Sequence, residues 1–148
     1  MTSLTLAEAH QRAMENPGVI LFTGSVIADG ASSMARIYSS DEAVYPVGGR
    51  KSIDGQVSPM WYEHVVLGGL PFFGPDRKSV RNFFFDSTVI ESLGCGAIIN
   101  VPVRDDGITI GSLNFLDREG AYTDESVVAA VAIAAQLVPA FRSAALSL

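Results

Sequence analysis

Cys95 is the one thiol in the chain, and Gly94 and Gly96 flank it. A thiol serves as a nucleophile, a redox centre or a covalent anchor when its pKa is low and a base stands near it. His64 and Asp86 are the candidate bases. The plainer alternative is a small buried filler, a common fate of free cysteine. A second constellation is Tyr45-Pro46-Val47-Gly48-Gly49-Arg50-Lys51. Its glycines allow a sharp turn that presents two cations side by side. Arg50 would fork onto a carboxylate or phosphate while Lys51 adds charge. Tyr45 would add a hydroxyl or an aromatic wall. The competing reading is a solvated loop with two ordinary surface cations. Trp61 and His64 belong to one short predicted helix. Asp86 reads either as a ligand for an amine, or a base, or as a helix cap. Asn100 and Asn114 interrupt apolar strands, and a buried amide must find partners. A metal centre needs about three protein ligands. The only other histidine, His10, is far away in sequence, so neither a metal nor a cofactor is expected.

These residues are positioned by a stretch that reads as a hairpin, Ala97–Arg104 and Ile108–Asp117. The first run is almost continuously apolar and β-branched, as in a strand buried on both faces. Asp106-Gly107 supplies the positive φ angles of a two-residue turn. Counting back from Asp105 opposite Ile108 sets Pro102 opposite Gly111, a pairing that predicts a kink or a close approach to the sheet. The same register puts Asn100 on one face and Asn114 on the other, so at most one faces a pocket.

Before this hairpin, Thr5 and Glu8 form a capping box for a helix over 6–15, stopped by Asn16-Pro17-Gly18. Residues 19–28 and 34–40 make a first hairpin around Asp29-Gly30. Residues 41–57 are irregular. Ser58-Pro59 starts a short helix that ends at Gly68-Gly69. A short strand over 70–73, a helical or mobile stretch over 76–84 and a short helix capped by Asp86-Ser87 follow. Thr123 begins the last helix, whose stripe is Val127, Val131, Ala134, Val138, Phe141 and Ala145, with a break at Pro139. This is an α+β pattern forming a single domain over residues 1–148.

Composition narrows the partners. With 148 residues and a net charge of −6, one acidic domain is expected, and phosphate backbones would be repelled, so nucleic acid is excluded. No apolar run reaches the ~20 residues of a membrane span. No signal peptide is evident, so a cytoplasmic protein away from membranes is expected. One cysteine excludes an internal disulfide. A mean hydropathy of +0.29 is high and points to self-association.

The closing third, IINVPVRDDGITIGSLNFLDREGAYTDESVVAAVAIAAQLVPAF, resembles the GAF domain family. The shared features are the Val-Pro strand, the polar turn, the Gly-bearing return strand, the Tyr-Thr-Asp helix start and the apolar helix. The resemblance implies a central antiparallel sheet of five or six strands. It implies N- and C-terminal helices on one face, often joining a homodimer, and loops with short helices closing a small-molecule pocket on the other. Ligands across the family are diverse, so the fold does not choose one. The cyclic-nucleotide pattern of that family has no copy here. Free-methionine-sulfoxide reductases of the family use several cysteines, and this chain has one. Bilin-binding members place His after the attachment Cys, where this chain has Gly96. The expected function is a receptor or sensor for a small polar or anionic metabolite, without a cofactor, working through a separate signalling partner. Its ligand-binding residues would be Tyr45, Arg50, Lys51, Trp61, Asp86, Cys95 and Asn100. The first alternative is a small enzyme using Cys95 or Asp86 with His64. The second is a ligand-free dimerisation module whose pocket is filled by Phe83 to Phe85.

Overall fold

The computed structural model describes residues 3–148. The capping box forms as expected. The Thr5 hydroxyl accepts from the Glu8 N–H at 3.1 Å, and Glu8 Oε1 accepts from the Thr5 N–H at 2.9 Å. Helix α1 runs Leu6–Glu15. Strands β1 (Leu21–Ala28) and β2 (Ser33–Ser39) form the first hairpin. The middle is more ordered than its sequence suggests. Arg50–Ser52 is a strand, β3, paired with Ser33, Met34 and Ala35 of β2; three residues are too few to show an alternation. A distorted turn, α2 (Ile53–Gln56), follows. Helix α3 (Pro59–Tyr62), capped by Ser58, continues as a π turn over Glu63–Leu67. Next come β4 (Phe72–Gly74), α4 (Arg77–Phe83) and α5 (Ser87–Ser92). The predicted central hairpin is β5 (Ala97–Asp105) and β6 (Ile108–Asp117). Helices α6 (Asp124–Ala134) and α7 (Val138–Leu146) close the chain.

The six strands form one sheet in the order β3-β2-β1-β6-β5-β4, every neighbouring pair antiparallel. The α+β architecture is as expected. One face carries Phe22, Val26, Ile99, Val101, Leu113 and Phe115 against the terminal helices. The other carries Leu21, Ile98 and Leu116 beneath α4 and α5, and Met34 beneath Trp61 and Val65. Period-two alternation therefore sorts the side chains to two different coverings.

The last helix turns most of its expected stripe inward: Ala134 and Phe141 are buried and Val127, Val138 and Ala145 pack against the same core, with Val131 the exception. Ala130, Ile133 and Leu137 are buried as well, whereas Val131 is 40% exposed. Residues 127–135 are almost apolar all round, so spacing alone does not single out Val131. The break ahead of Pro139 is present, and α6 and α7 meet at a 56° bend. Among the described residues no single helix is long and apolar enough to cross a membrane.

The central turn is as expected, with Asp106 at φ 54°, Gly107 at φ 81° and Asp105 opposite Ile108. The register behind it is not. A bulge between Val103 and Arg104 moves Gly111 opposite Val103 and Ser112 opposite Pro102. One extra residue, Ile110, reverses the facing of everything beyond it. Asn100 and Asn114 are consequently directly paired, on the same face. The expected close approach does occur at Gly111. A Cβ there would lie 2.8 Å from two Phe141 ring carbons and would strike the Ser25 carbonyl oxygen. Backbone cannot yield as a side chain can. Gly111→Ala should therefore cost at least about 1–3 kcal/mol in urea unfolding, and more than Gly24→Ala, whose added carbon has Phe141 and Leu113 side-chain atoms as its nearest neighbours, none under 3.2 Å. Equal stabilities for the two variants would refute this packing.

Candidate functional site

The floor of the site is a chain of hydrogen bonds across three strands. The buried Trp61 donates from Nε1 to Asn100 Oδ1 at 3.0 Å. Asn100 Nδ2 donates to Asn114 Oδ1 at 2.7 Å, and Asn114 Nδ2 donates to Thr23 Oγ1 at 3.1 Å. The Ser112 hydroxyl also reaches Asn114 Oδ1, at 3.2 Å. Asn100 is only 2% exposed, so both ends of its amide need these partners. Trp61 is carried over the sheet by α3. The Ser58 hydroxyl accepts from the Trp61 N–H at 3.3 Å, and Pro59 opens the helix.

The walls carry the charge. Tyr45 donates its hydroxyl to Asp86 Oδ2 at 2.6 Å, and Lys51 Nζ lies 3.5 Å from Asp86 Oδ1. Burial, and then the bond to Asp86, hold the Tyr45 phenol well above its usual range, so it stays a donor. Arg36 stacks on the Tyr45 ring, its guanidinium carbon 4.9 Å from the centroid, and donates to the Pro46 carbonyl at 3.0 Å. Burial pulls the Arg36 pKa down from its ordinary value, yet an arginine remains charged. These groups surround a cavity of about 100 Å³, several times the space of one water, also lined by Leu21, Ile98, Leu116 and Phe84. Small-molecule sites have this composition, mostly apolar with a few placed polar groups.

No family model matches the chain, and no curated protein matches it. Solved structures do. The type II free methionine-R-sulfoxide reductase from Thermoplasma acidophilum is 18% identical with a TM-score of 0.72, covering 93% of this chain and 89% of that one. The GAF domain of a two-component sensor histidine kinase from Bacillus halodurans is 10% identical at TM-score 0.69, over 98% and 99% of the two chains. The GAF domain region of a putative membrane protein from Geobacter sulfurreducens PCA is 13% identical at TM-score 0.66, over 91% and 88%. The chain has the GAF fold.

Within this GAF fold the expected site residues separate. Tyr45, Lys51, Trp61, Asp86 and Asn100 all line the cavity. Arg50 does not. Strand β3 sends neighbouring side chains to opposite faces, and Arg50 Nε instead meets Asp29 Oδ2 at 3.1 Å. The expected Arg50-Lys51 clamp is thus divided. Cys95 is 1% exposed, packed among Leu21, Val80, Ile90, Ile98 and Leu116 behind the cavity wall. Burial, with some repulsion from Asp117, pushes its thiol up to about 11, the opposite of an activated nucleophile. His64 is exposed outside the cavity, with Nε2 2.9 Å from the Pro71 carbonyl oxygen. His10 lies on the helical side of the sheet, stacked on Phe22. Asp86 stands at the start of α5 but its side chain makes no cap there; Tyr45 and Lys51 take it instead.

Arg36, Thr23, Ser112 and Asn114 complete the site. Met34-Ala35-Arg36 carried a usable signal for the first: a cation two residues from an apolar one in a strand shares its face. Two outcomes check this geometry. Trp61→Phe leaves Asn100 Oδ1 without its donor and should cost about 1–3 kcal/mol in denaturant unfolding. That loss should shrink when Asn100→Leu is already present. Cys95 in the folded protein should resist iodoacetamide near pH 8 and react once unfolded; rapid native alkylation would contradict its burial.

Proposed function

We propose that this domain is a receptor for a small polar or anionic metabolite. The observation that carries the reading is the cavity itself, with its satisfied amide floor and two cations, Arg36 and Lys51, set against a single carboxylate, Asp86. Two of the similar structures are GAF domains of a sensor histidine kinase and a putative membrane protein, which suits a sensory role acting through a separate signalling partner. An enzyme is the second reading. It draws on the likeness to a reductase and on Asp86 inside the cavity. The placement of Cys95 and His64 outside the cavity weighs against the version that uses them. A ligand-free module filled by Phe83 to Phe85 is disfavoured by the volume left open, with Phe85 itself 70% exposed.

Native mass spectrometry of the purified protein, followed by denaturation, should release a stoichiometric small molecule or, if the site empties on purification, thermal-shift screening of metabolites should find one. Ser25→Phe places a ring in the cavity and should abolish that binding while the protein stays folded by circular dichroism. Binding unaffected by this block would sink the cavity as the receptor site. A ligand recovered chemically changed would favour the enzyme.

We further propose a homodimer formed through α6, whose outer face exposes Val128 and Val131 beside Ala132 and Ala135. Sedimentation at micromolar concentration should give a dimer mass, and Val128→Glu should give a monomer. A monomeric parent protein would refute it.

A further inference from the structure

The cavity floor has a direction, and the direction bears on what it binds. An indole N–H can only donate. Trp61 therefore fixes the Asn100 atom facing it, at 3.0 Å, as the carbonyl oxygen. The Asn100 amide nitrogen must then face Asn114, at 2.7 Å, and meet its carbonyl oxygen. This leaves the Asn114 nitrogen to donate to Thr23 Oγ1 at 3.1 Å. The Thr23 hydroxyl is thus an acceptor toward the floor. Its own proton is left for the cavity that Thr23 lines. Ser25, two residues along the same strand, lines the cavity as well and pairs directly with Arg36 on β2.

Arg36 differs from the other cavity cation. Lys51 is matched by Asp86. Among the described residues no carboxylate lies within salt-bridge distance of Arg36; its direct contacts are the Pro46 carbonyl and the Tyr45 ring, and the Asp86 charge, already held by Lys51 and Tyr45, acts on it only from further off. Two cations, Arg36 and Lys51, share one carboxylate in this lining, so the half-buried guanidinium, with two hydroxyls in the same cavity, is a place for one further negative charge. A dianion would leave a second charge unmatched in a partly desolvated site. Leu21, Ile98, Leu116 and Phe84 supply an apolar wall, while Gln56 and Ser58 add polar groups elsewhere in the lining.

We propose that Arg36, Thr23 and Ser25 form a subsite for the carboxylate of a small monocarboxylic acid, whose short apolar body lies against Leu21, Ile98 and Leu116. Arg36 supplies the charge and the forked donors, and Thr23 supplies an oriented hydroxyl donor. Trp61, through the two asparagines, is a positioning residue for that hydroxyl. This inference rests on the receptor reading of the cavity and adds the chemical class of its ligand.

The test is calorimetric titration of the full chain with propionate, butyrate, isovalerate and benzoate, with their primary amides, and with methyl phosphate and succinate. At least one monocarboxylate should bind, and its amide about tenfold or more weaker. Arg36→Gln should weaken the acid by about ten- to a hundredfold and erase the gap between acid and amide. Arg36→Lys should restore part of it. Thr23→Val should weaken the acid severalfold, and Trp61→Phe should do so only while Thr23 is present, an interaction a merely structural role would not produce. Circular dichroism confirms that each variant is folded. Failure of every monocarboxylate, equal binding of acid and amide, tighter binding of methyl phosphate or succinate, or indifference to Arg36→Gln overturns the proposal. If any of these occurs while another metabolite binds and Ser25→Phe abolishes that binding, the receptor reading stands and only the ligand class falls.

Discussion

The pairing of Asn100 with Asn114 is the interaction on which the cavity depends. Two amides facing one another on an otherwise apolar hairpin are stable only in one register. Without the extra residue Ile110, Asn114 would turn toward the face where Phe22, Phe115 and Phe141 pack. An unpaired amide there would cost several times what a satisfied hydrogen bond returns. The bulge and the asparagines therefore enforce each other. A slip by one residue would bury both polar groups wrongly, so the amide pair pins the register more firmly than apolar alternation alone. Trp61 extends the constraint upward, because its N–H must find Asn100, and so sets where α3 sits over the sheet.

The opposite face shows the cost of that choice. The bulge brings Gly111 beneath Phe141 and against the Ser25 carbonyl, with no room for a side chain. The bend between α6 and α7 lets Phe141 reach that spot while Ala130, Ile133 and Ala134 cover β5 and its neighbours. One local irregularity thus shapes both layers. It aims the polar row at the cavity and lets a close-packed aromatic seal the other side.

Much of this fold was legible. Capping residues, the Asp106-Gly107 turn and the long apolar runs mark α1, both hairpins and the closing helices, because each is a local signal with a local cause. The site was legible in part. Tyr45, Lys51, Trp61, Asp86 and Asn100 stand in the cavity. Arg50 does not, since β3 is too short to announce itself and its alternation divides adjacent cations. The pairing of Asn114 with Asn100 was hidden by a bulge that no residue type advertises. Arg36 was readable from Met34-Ala35-Arg36, but a second bulge, between Gly24 and Ser25, separates its facing from that of Tyr38. Bulges are tertiary solutions, and a count along the chain cannot place them.

Charge is where local and global properties diverge. The chain carries a net charge of −6, yet its cavity holds two cations to one carboxylate. Surface acids act through water and ions and are screened within about 8–10 Å; groups in a half-closed cavity are screened far less. Tyr45 organises the local balance. Its hydroxyl engages Asp86, which also holds Lys51, while its ring supports Arg36 without neutralising it. The π face stabilises a cation at little cost in attraction for an anion. One side chain therefore keeps the internal ion pair closed and the second cation available. The loop that carries Tyr45 is held at both ends of this arrangement, through Pro46 to Arg36 and through Tyr45 to Asp86. An anion arriving at Arg36 would compete with the Pro46 carbonyl for the guanidinium, so occupancy of the cavity would be felt first in that loop.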